Sequence, residues 1–437
     1  MCGRDRLRPA ASRSVSVDEC VKDALVFALR DGQVASDAAA SIEGGIAPEG
    51  GLGAVWEYLG TSGIHGASLS LLHPERAKVV HHRAQWELGV PASGSFDDVM
   101  LGVIYVLRVP SDEVVPWLEN ALADDPRIAY VHRPALRYPL RDQRRHTGGG
   151  NVSSDWGVRR CRFPEVWDIL DVGMSERGIA IVDQGRDEGH KELRGRITVV
   201  HPPGSGGMRS PHAGSVAGII SAIRDSPREE ELKGCCSANL FLYNVWKADG
   251  CFDYCAYYRA LGALDCTKVS VVNLSIGGTA GDFTEAREVA ACLARGVVLV
   301  AAIGNRGKGG IPEYPALHTG VVAVGGTNAS DSPAAVSTRG DHMWISAPGE
   351  LIWTVDGKKL YSALTGTSYA APFVTAAVWL ARRCKPSLTV GETRALLKKS
   401  VAEYTVPPDG HSADLGHGRL DMVALATALN APPAYPD

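Results

Sequence analysis

The 437-residue chain lacks any run of about 18 uninterrupted apolar residues, so it offers no membrane-spanning helix. Residues 1–13 are basic and lack the apolar core of a secretory signal. A cytoplasmic setting with no membrane partner is therefore expected. Charge of one sign is also scarce: 45 Lys and Arg against 49 Asp and Glu leave a formal net charge of −4. That balance supplies no general basic field, so no nucleic-acid partner is expected. Ten cysteines are too few to staple a chain of this length. Cys235-Cys236 are adjacent and Cys251/Cys255 lie four apart, with no second pair at zinc-finger spacing, so reduced thiols and no metal are expected. What remains is ordinary: 45% hydrophobic and 22% charged residues exclude wholesale disorder. The length predicts one large domain plus something smaller.

Three blocks and a tail follow along the chain. Residues 1–95 read as an N-terminal extension of unknown fold, partly helical. Ser16-Val17-Asp18-Glu19 has the form of a capping box opening a helix over 20–29, and 36–54 read as an Ala/Gly/Ser-rich linker. Within 96–150, a strand is expected over 103–109, a helix over 114–123 and a second strand over 128–131. This β-α-β unit ends in a basic, Gly-rich tether carrying Arg141, Arg144 and Arg145, exposed and cleavable. Over 151–430, β-branched runs at 178–182, 240–245, 269–274, 297–302 and 321–324 show little polar alternation and are separated by helical stretches. That pattern predicts an α/β fold, a mostly parallel sheet buried on both faces and flanked by helices. Residues 431–437 form a tail.

In such sheets functional groups gather at the carboxyl ends of strands. Asp183 closes the run Gly178-Ile179-Ala180-Ile181-Val182, and His212 opens His212-Ala213-Gly214-Ser215. Asn305 follows Ala301-Ala302-Ile303-Gly304, and Ser368 lies in Gly366-Thr367-Ser368-Tyr369-Ala370-Ala371-Pro372. Singly, each has a structural use as a cap or turn residue. In the order Asp, His, Asn, Ser, they form a constellation that resembles the subtilisin-like serine proteases, the subtilases, over roughly residues 150–430. Val272-Asn273-Leu274-Ser275-Ile276-Gly277-Gly278, Ala347-Pro348-Gly349 and Gly416-His417-Gly418-Arg419-Leu420-Asp421 resemble further family motifs. Gln184 after Asp183, and Ala213-Gly214-Ser215 after His212, depart from the usual small or Gly-Thr-His residues. His190 sits in a family-like context, with a structural role expected.

The resemblance implies a serine endopeptidase. Ser368 would be the nucleophile, His212 its base, Asp183 the orienter of the imidazole, and Asn305 with the Ser368 N–H the oxyanion donors. Subtilases bind peptide as an added strand, so Ser275, Ile276, Gly277, Ala302, Ile303 and Gly304 would line the first pocket. Glu313, just ahead of Tyr314-Pro315, would stand at its base and favour Lys or Arg before the scissile bond; the alternative is a Glu313 facing solvent. The unit at 101–140 resembles a small α+β propeptide. This implies a zymogen inhibited by its own propeptide and cut after Arg145 or Arg144, unless that basic stretch is only a solvated linker. Residues 1–95 then read as an inhibitory extension or a docking module for a regulatory partner. Many subtilases bind calcium, but no carboxylate cluster marks a site here and no cofactor is required. Two other functions fit the same scaffold: a peptide transferase or macrocyclase, and a catalytically inactive subtilase acting as a regulatory protein.

Overall fold

The computed structural model describes residues 21–29, 55, 59, 67–72, 104–126, 128–140, 153–171, 177–185, 189–200, 210–224, 232–357 and 360–430. They divide into two compact units, with the boundary between Leu136 and Arg137.

The first unit carries a four-stranded antiparallel sheet, in the order β2-β3-β1-β4. Its strands are β1 (Ala24–Leu29), β2 (Ser68–Leu71), β3 (Ile104–Arg108) and β4 (Ile128–His132). Helix α1 (Val115–Asp124) crosses from β3 to β4. Ser111 caps the preceding turn by accepting from the Glu113 N–H at 3.3 Å, and Pro116 occupies the first helical turn, where no N–H is needed. Val115, Leu118 and Leu122 recur on one face and are buried with Leu25, Phe27, Tyr105, Leu107 and Ile128. The expected strands and helix of this segment are thus present, but β1 is inserted between β3 and β4, giving a split β-α-β arrangement.

Two expectations are corrected here. The segment 24–29, expected to be helical, is the strand β1; Ser16-Val17-Asp18-Glu19 lie outside the described residues. Ala-Leu-Val-Phe-Ala suits either helix or strand, and β1 pairs with a neighbour on both edges, so tertiary pairing overrides local propensity. The described strands of residues 1–95 are also not a separate extension, because β1 and β2 belong to the same sheet as β3 and β4.

The second unit is built on a seven-stranded sheet in the order β13-β12-β11-β9-β6-β8-β7, parallel throughout. The strands are β6 (Gly178–Asp183), β7 (Ile197–Val200), β8 (Leu240–Asn244), β9 (Val269–Leu274), β11 (Val298–Ala302), β12 (Val322–Thr327) and β13 (Ile345–Pro348). Every residue of β6, β9, β11 and β12 is buried, so both faces are covered, as the unalternating apolar runs require. Helices α2 (His212–Ser221), α3 (Tyr254–Gly262), α4 (Phe283–Ala294) and α5 (Ala371–Cys384) supply cover. The α5 helix runs along β9 and β11 and packs on α2. Two small pairings complete the unit: the hairpin β14 (Ile352–Val355) with β15 (Tyr361–Leu364), and β5 (Tyr138–Pro139) with β10 (Ile276–Gly277).

Candidate active site

Asp183 is the last residue of β6 and His212 the first of α2, so a strand end and a helix start carry the first two groups. Both side chains are buried, and Asp183 Oδ1 lies 2.6 Å from His212 Nδ1. The same oxygen accepts the Gln184 N–H at 2.5 Å. The Asp183 bond places the imidazole proton on Nδ1 and leaves the Nε2 lone pair available.

The local sequence explains this placement. Gly185 has φ 103°, and a Cβ there would sit 2.1 Å from the Ser210 carbonyl oxygen, so glycine is needed where the two loops touch. Gln184, one of the departures from the family pattern, accepts from Ser210 Oγ at 3.1 Å. That hydroxyl in turn accepts the His212 N–H at 3.3 Å. Ser215, the other departure, donates to the Val355 carbonyl at 2.6 Å, while Thr354 Oγ1 donates to the Ser215 carbonyl at 2.7 Å. Both departures therefore brace the His212 helix rather than disturb it.

Ser368 lies in the single 3-10 turn Thr367–Tyr369 that leads into α5. Its hydroxyl donates to the Ser275 carbonyl at 2.9 Å, and the next side chain, Tyr369, packs its ring 5.9 Å from the His212 ring. Asn305 follows β11. Its Oδ1 accepts from both the N–H and the hydroxyl of Thr367, each at 2.9 Å. Two clamps on the oxygen fix the amide orientation and commit Nδ2 to the other side. Buried polar atoms ordinarily find partners. Asn305 Nδ2 and His212 Nε2 are buried here without one, a donor and an acceptor of the kinds that acyl transfer uses. Replacing Asn305 by Ala is expected to lower kcat about 10²- to 10³-fold with KM little changed. Steady-state kinetics on a peptide substrate checks this, and an unaltered kcat would remove Asn305 from the site.

A segment of the chain itself lies across this cluster. Tyr138 and Pro139 pair antiparallel with Gly277 and Ile276. The Leu140 N–H donates to the Ser275 carbonyl at 3.2 Å, and the Leu140 carbonyl accepts the Ser368 N–H at 3.2 Å. The Leu140 side chain is buried, and a Cβ on Gly277 would meet it at 2.7 Å. Ser275, Ile276 and Gly277 thus form the edge along which residues 138–140 lie. Ala302, Ile303 and Gly304 are buried alongside, Gly304 tied to Thr367 Oγ1 at 3.3 Å.

Glu313 does not face solvent. Its carboxylate reaches toward both glycines: Cβ atoms added at Gly277 and Gly304 would come within 2.6 and 2.7 Å of its two oxygens. Burial pushes the Glu313 carboxyl up, opposed by the Arg306 guanidinium 3.1 Å away. Arg144 and Arg145 lie outside the described residues. His190 caps the turn that follows it, its Nδ1 accepting the Glu192 N–H at 3.3 Å, the structural role expected of it. Among the described residues no group of three or more His, Cys, Asp or Glu side chains is placed to hold a metal ion, and no helix is long and apolar enough to cross a membrane.

Sequence reasoning passed over Thr367, Ser210 and Leu140. In the sequence Thr367 is one member of the Gly366–Pro372 motif, and its hydroxyl beside Ser368 is a usable signal. Nothing local marks Leu140, since its role comes from the strand it pairs with.

The subtilase family (peptidase S8) matches residues 175–418. The alkaline protease of Shouchella clausii is 30% identical over 296 residues, spanning 67% of this chain and 74% of its own. Subtilisin E of Bacillus subtilis (strain 168) is 28% identical over 314 residues, spanning 70% and 77%. Among solved structures, the prenylagaramide maturation protease PagA is similar in fold, with a TM-score of 0.52 at 23% identity, covering 62% of this chain and 98% of its own.

Proposed function

Because the chain belongs to the subtilase family and is a subtilisin-like serine endopeptidase, we propose that it hydrolyses peptide bonds through an acyl-enzyme on Ser368 and is made as a zymogen. Ser368 Oγ attacks the scissile carbonyl carbon and its proton passes to His212 Nε2. The Ser368 N–H and Asn305 Nδ2 bind the oxygen as it becomes negative. His212 then protonates the leaving amine, leaving an ester on Ser368. Water adds to the ester, His212 takes its proton, and the acid departs as His212 returns the proton to Ser368. Asp183 stays ionised throughout and offsets the imidazolium charge.

One observation carries the reading. Residues 138–139 pair with β10 as an added strand, and Leu140 continues it, with the Leu140 carbonyl against the Ser368 N–H and the Leu140 N–H against the Ser275 carbonyl. Main-chain pairing of this kind is how a peptide is held at a sheet edge. It supports the chain's own N-terminal region as both intramolecular inhibitor and first substrate, cut after Leu140. The sequence pointed instead to Arg144 or Arg145 entering a pocket with Glu313 at its base. The salt bridge from Glu313 to Arg306 and the buried Leu140 favour a leucine there.

Mass spectrometry of the purified protein is expected to show a new N-terminus at Arg141. A first residue of Arg145 or His146 would restore the basic first pocket. Substrate products heavier by one water establish hydrolysis, and products lacking that water would turn the reading toward transfer. A cytoplasmic setting belongs to the same proposal, and recovery of the chain from the culture medium in cell fractionation would overturn it.

A further inference from the structure

Arg137 is one of the largest fully buried side chains among the described residues, at 1% exposure. Its guanidinium is held in a fork by Glu285: Nε donates to Oε1 at 2.8 Å and Nη2 to Oε2 at 2.6 Å. Nη1 donates to the Ala280 carbonyl at 2.8 Å. Glu285 is 0% exposed and is itself held from behind. Tyr257 donates its hydroxyl to Oε1 at 2.9 Å, and His318 Nε2 lies 2.7 Å from Oε2. Burial pushes the Glu285 carboxyl up, but the Arg137 charge and the His318 bond outweigh it and hold the group down to about 2.

Counted back from the bond after Leu140, Arg137 is the fourth residue. In the seated segment Leu140 and Arg137 are buried, while Tyr138 is 51% exposed and Pro139 is half-buried. The side chains read by the protein are therefore the first and the fourth. Glu285 and the Ala280 carbonyl, which hold the fourth side chain, and Tyr257 and His318, which hold Glu285, lie beyond residue 250, far along the chain from residues 137–140. When residues 137–140 leave, Glu285 keeps Tyr257 and His318 behind it and loses its guanidinium partner. Removing one member of a buried ion pair is costly, and a cation of the right shape restores it. The planar fork selects arginine over lysine, whose ammonium cannot span both oxygens.

We propose that the Glu285 pocket is a specificity site for an arginine side chain four residues before the scissile bond. The substrates are then peptides or proteins with Arg at that position and Leu next to the cut bond. This rests on the endopeptidase reading above, and it moves the demand for a basic residue from the first pocket to the fourth.

The test uses the purified chain after self-processing and quenched peptides containing Arg-Tyr-Pro-Leu-Arg-Asp, the sequence of residues 137–142. A second peptide carries Gln, and a third Lys, in place of the first Arg. Cleavage between Leu and Arg is expected, with kcat/KM for the Arg peptide exceeding the Gln peptide about 100- to 1,000-fold, the scale of leaving a buried charged group unpaired. The Lys peptide is expected to fall about tenfold below the Arg peptide. In Glu285→Gln, the ratio between the Arg and Gln peptides should shrink to a few-fold. A fluorophosphonate probe on Ser368 is run in parallel. Equal turnover of the Arg and Gln peptides, or cutting after an arginine, with Ser368 still labelled, would overturn the pocket assignment and leave the endopeptidase standing. Absence of both labelling and cleavage would bring down the endopeptidase reading and the pocket with it.

Discussion

Ser368→Ala is expected to reduce kcat by about 10⁶-fold and to leave the chain uncut. The hydroxyl is buried and makes one hydrogen bond, to the Ser275 carbonyl. That carbonyl keeps another donor, the Leu140 N–H, when the hydroxyl is removed. The Ser368 N–H that faces the Leu140 carbonyl belongs to the backbone and survives the change. Loss of one oxygen from a small side chain should therefore leave the fold and the seated segment in place while removing the only atom that bonds to the substrate carbon. Gel electrophoresis should show a single full-length band, and circular dichroism a spectrum matching the wild type. Processing that continues in this variant, with no wild-type protein present, would mean that another nucleophile or another protease does the cutting.

Asp183→Asn is expected to lower kcat by about 10⁴-fold with the fold retained. Asp183 Oδ1 accepts from both the Gln184 N–H and His212 Nδ1, while Oδ2 is buried without a partner. An asparagine has two orientations here and neither replaces the carboxylate. With its NH₂ toward His212, donor meets donor at Gln184 and the imidazole is driven to the tautomer whose Nε2 carries the proton. With its oxygen inward, the tautomer is kept, but an NH₂ is buried without an acceptor and no negative charge faces the imidazolium. Measurement of kcat/KM on folded, probe-quantified protein decides the matter. A loss below tenfold would show that the Asp183 charge does not support His212.

The members of the candidate site were legible in the sequence because each sits in a covalently local motif. The apolar run before Asp183 announces the end of a buried strand, and Asn305 follows another such run. The small residues after His212 and Ser368 announce tightly packed helix starts, and α2 and α5 do pack on each other. The central strands were readable for a related reason, since a strand covered on both faces is apolar at every position whatever covers it.

Other features had no local signature. Ala24 through Ala28 suit either element, and only the two neighbouring strands make them β1. Glu285 follows Asp282 at the spacing of a helix N-cap, and Asp282 does accept the Glu285 N–H at 2.6 Å, so its sequence reads as an ordinary exposed first turn. Its burial against an arginine 148 residues earlier comes from the fold alone.

By itself, then, the sequence determined the parallel α/β architecture and pointed to Asp183, His212, Asn305 and Ser368 as a candidate site, because hydrophobic runs and motif residues act through near neighbours. Which peptide lies across that chemistry, and which of its side chains is read, was decided only by the tertiary structure. Those answers depend on strand pairing and on desolvated charges brought together from distant parts of the chain, and a buried ion pair leaves no trace in the composition of either partner's surroundings.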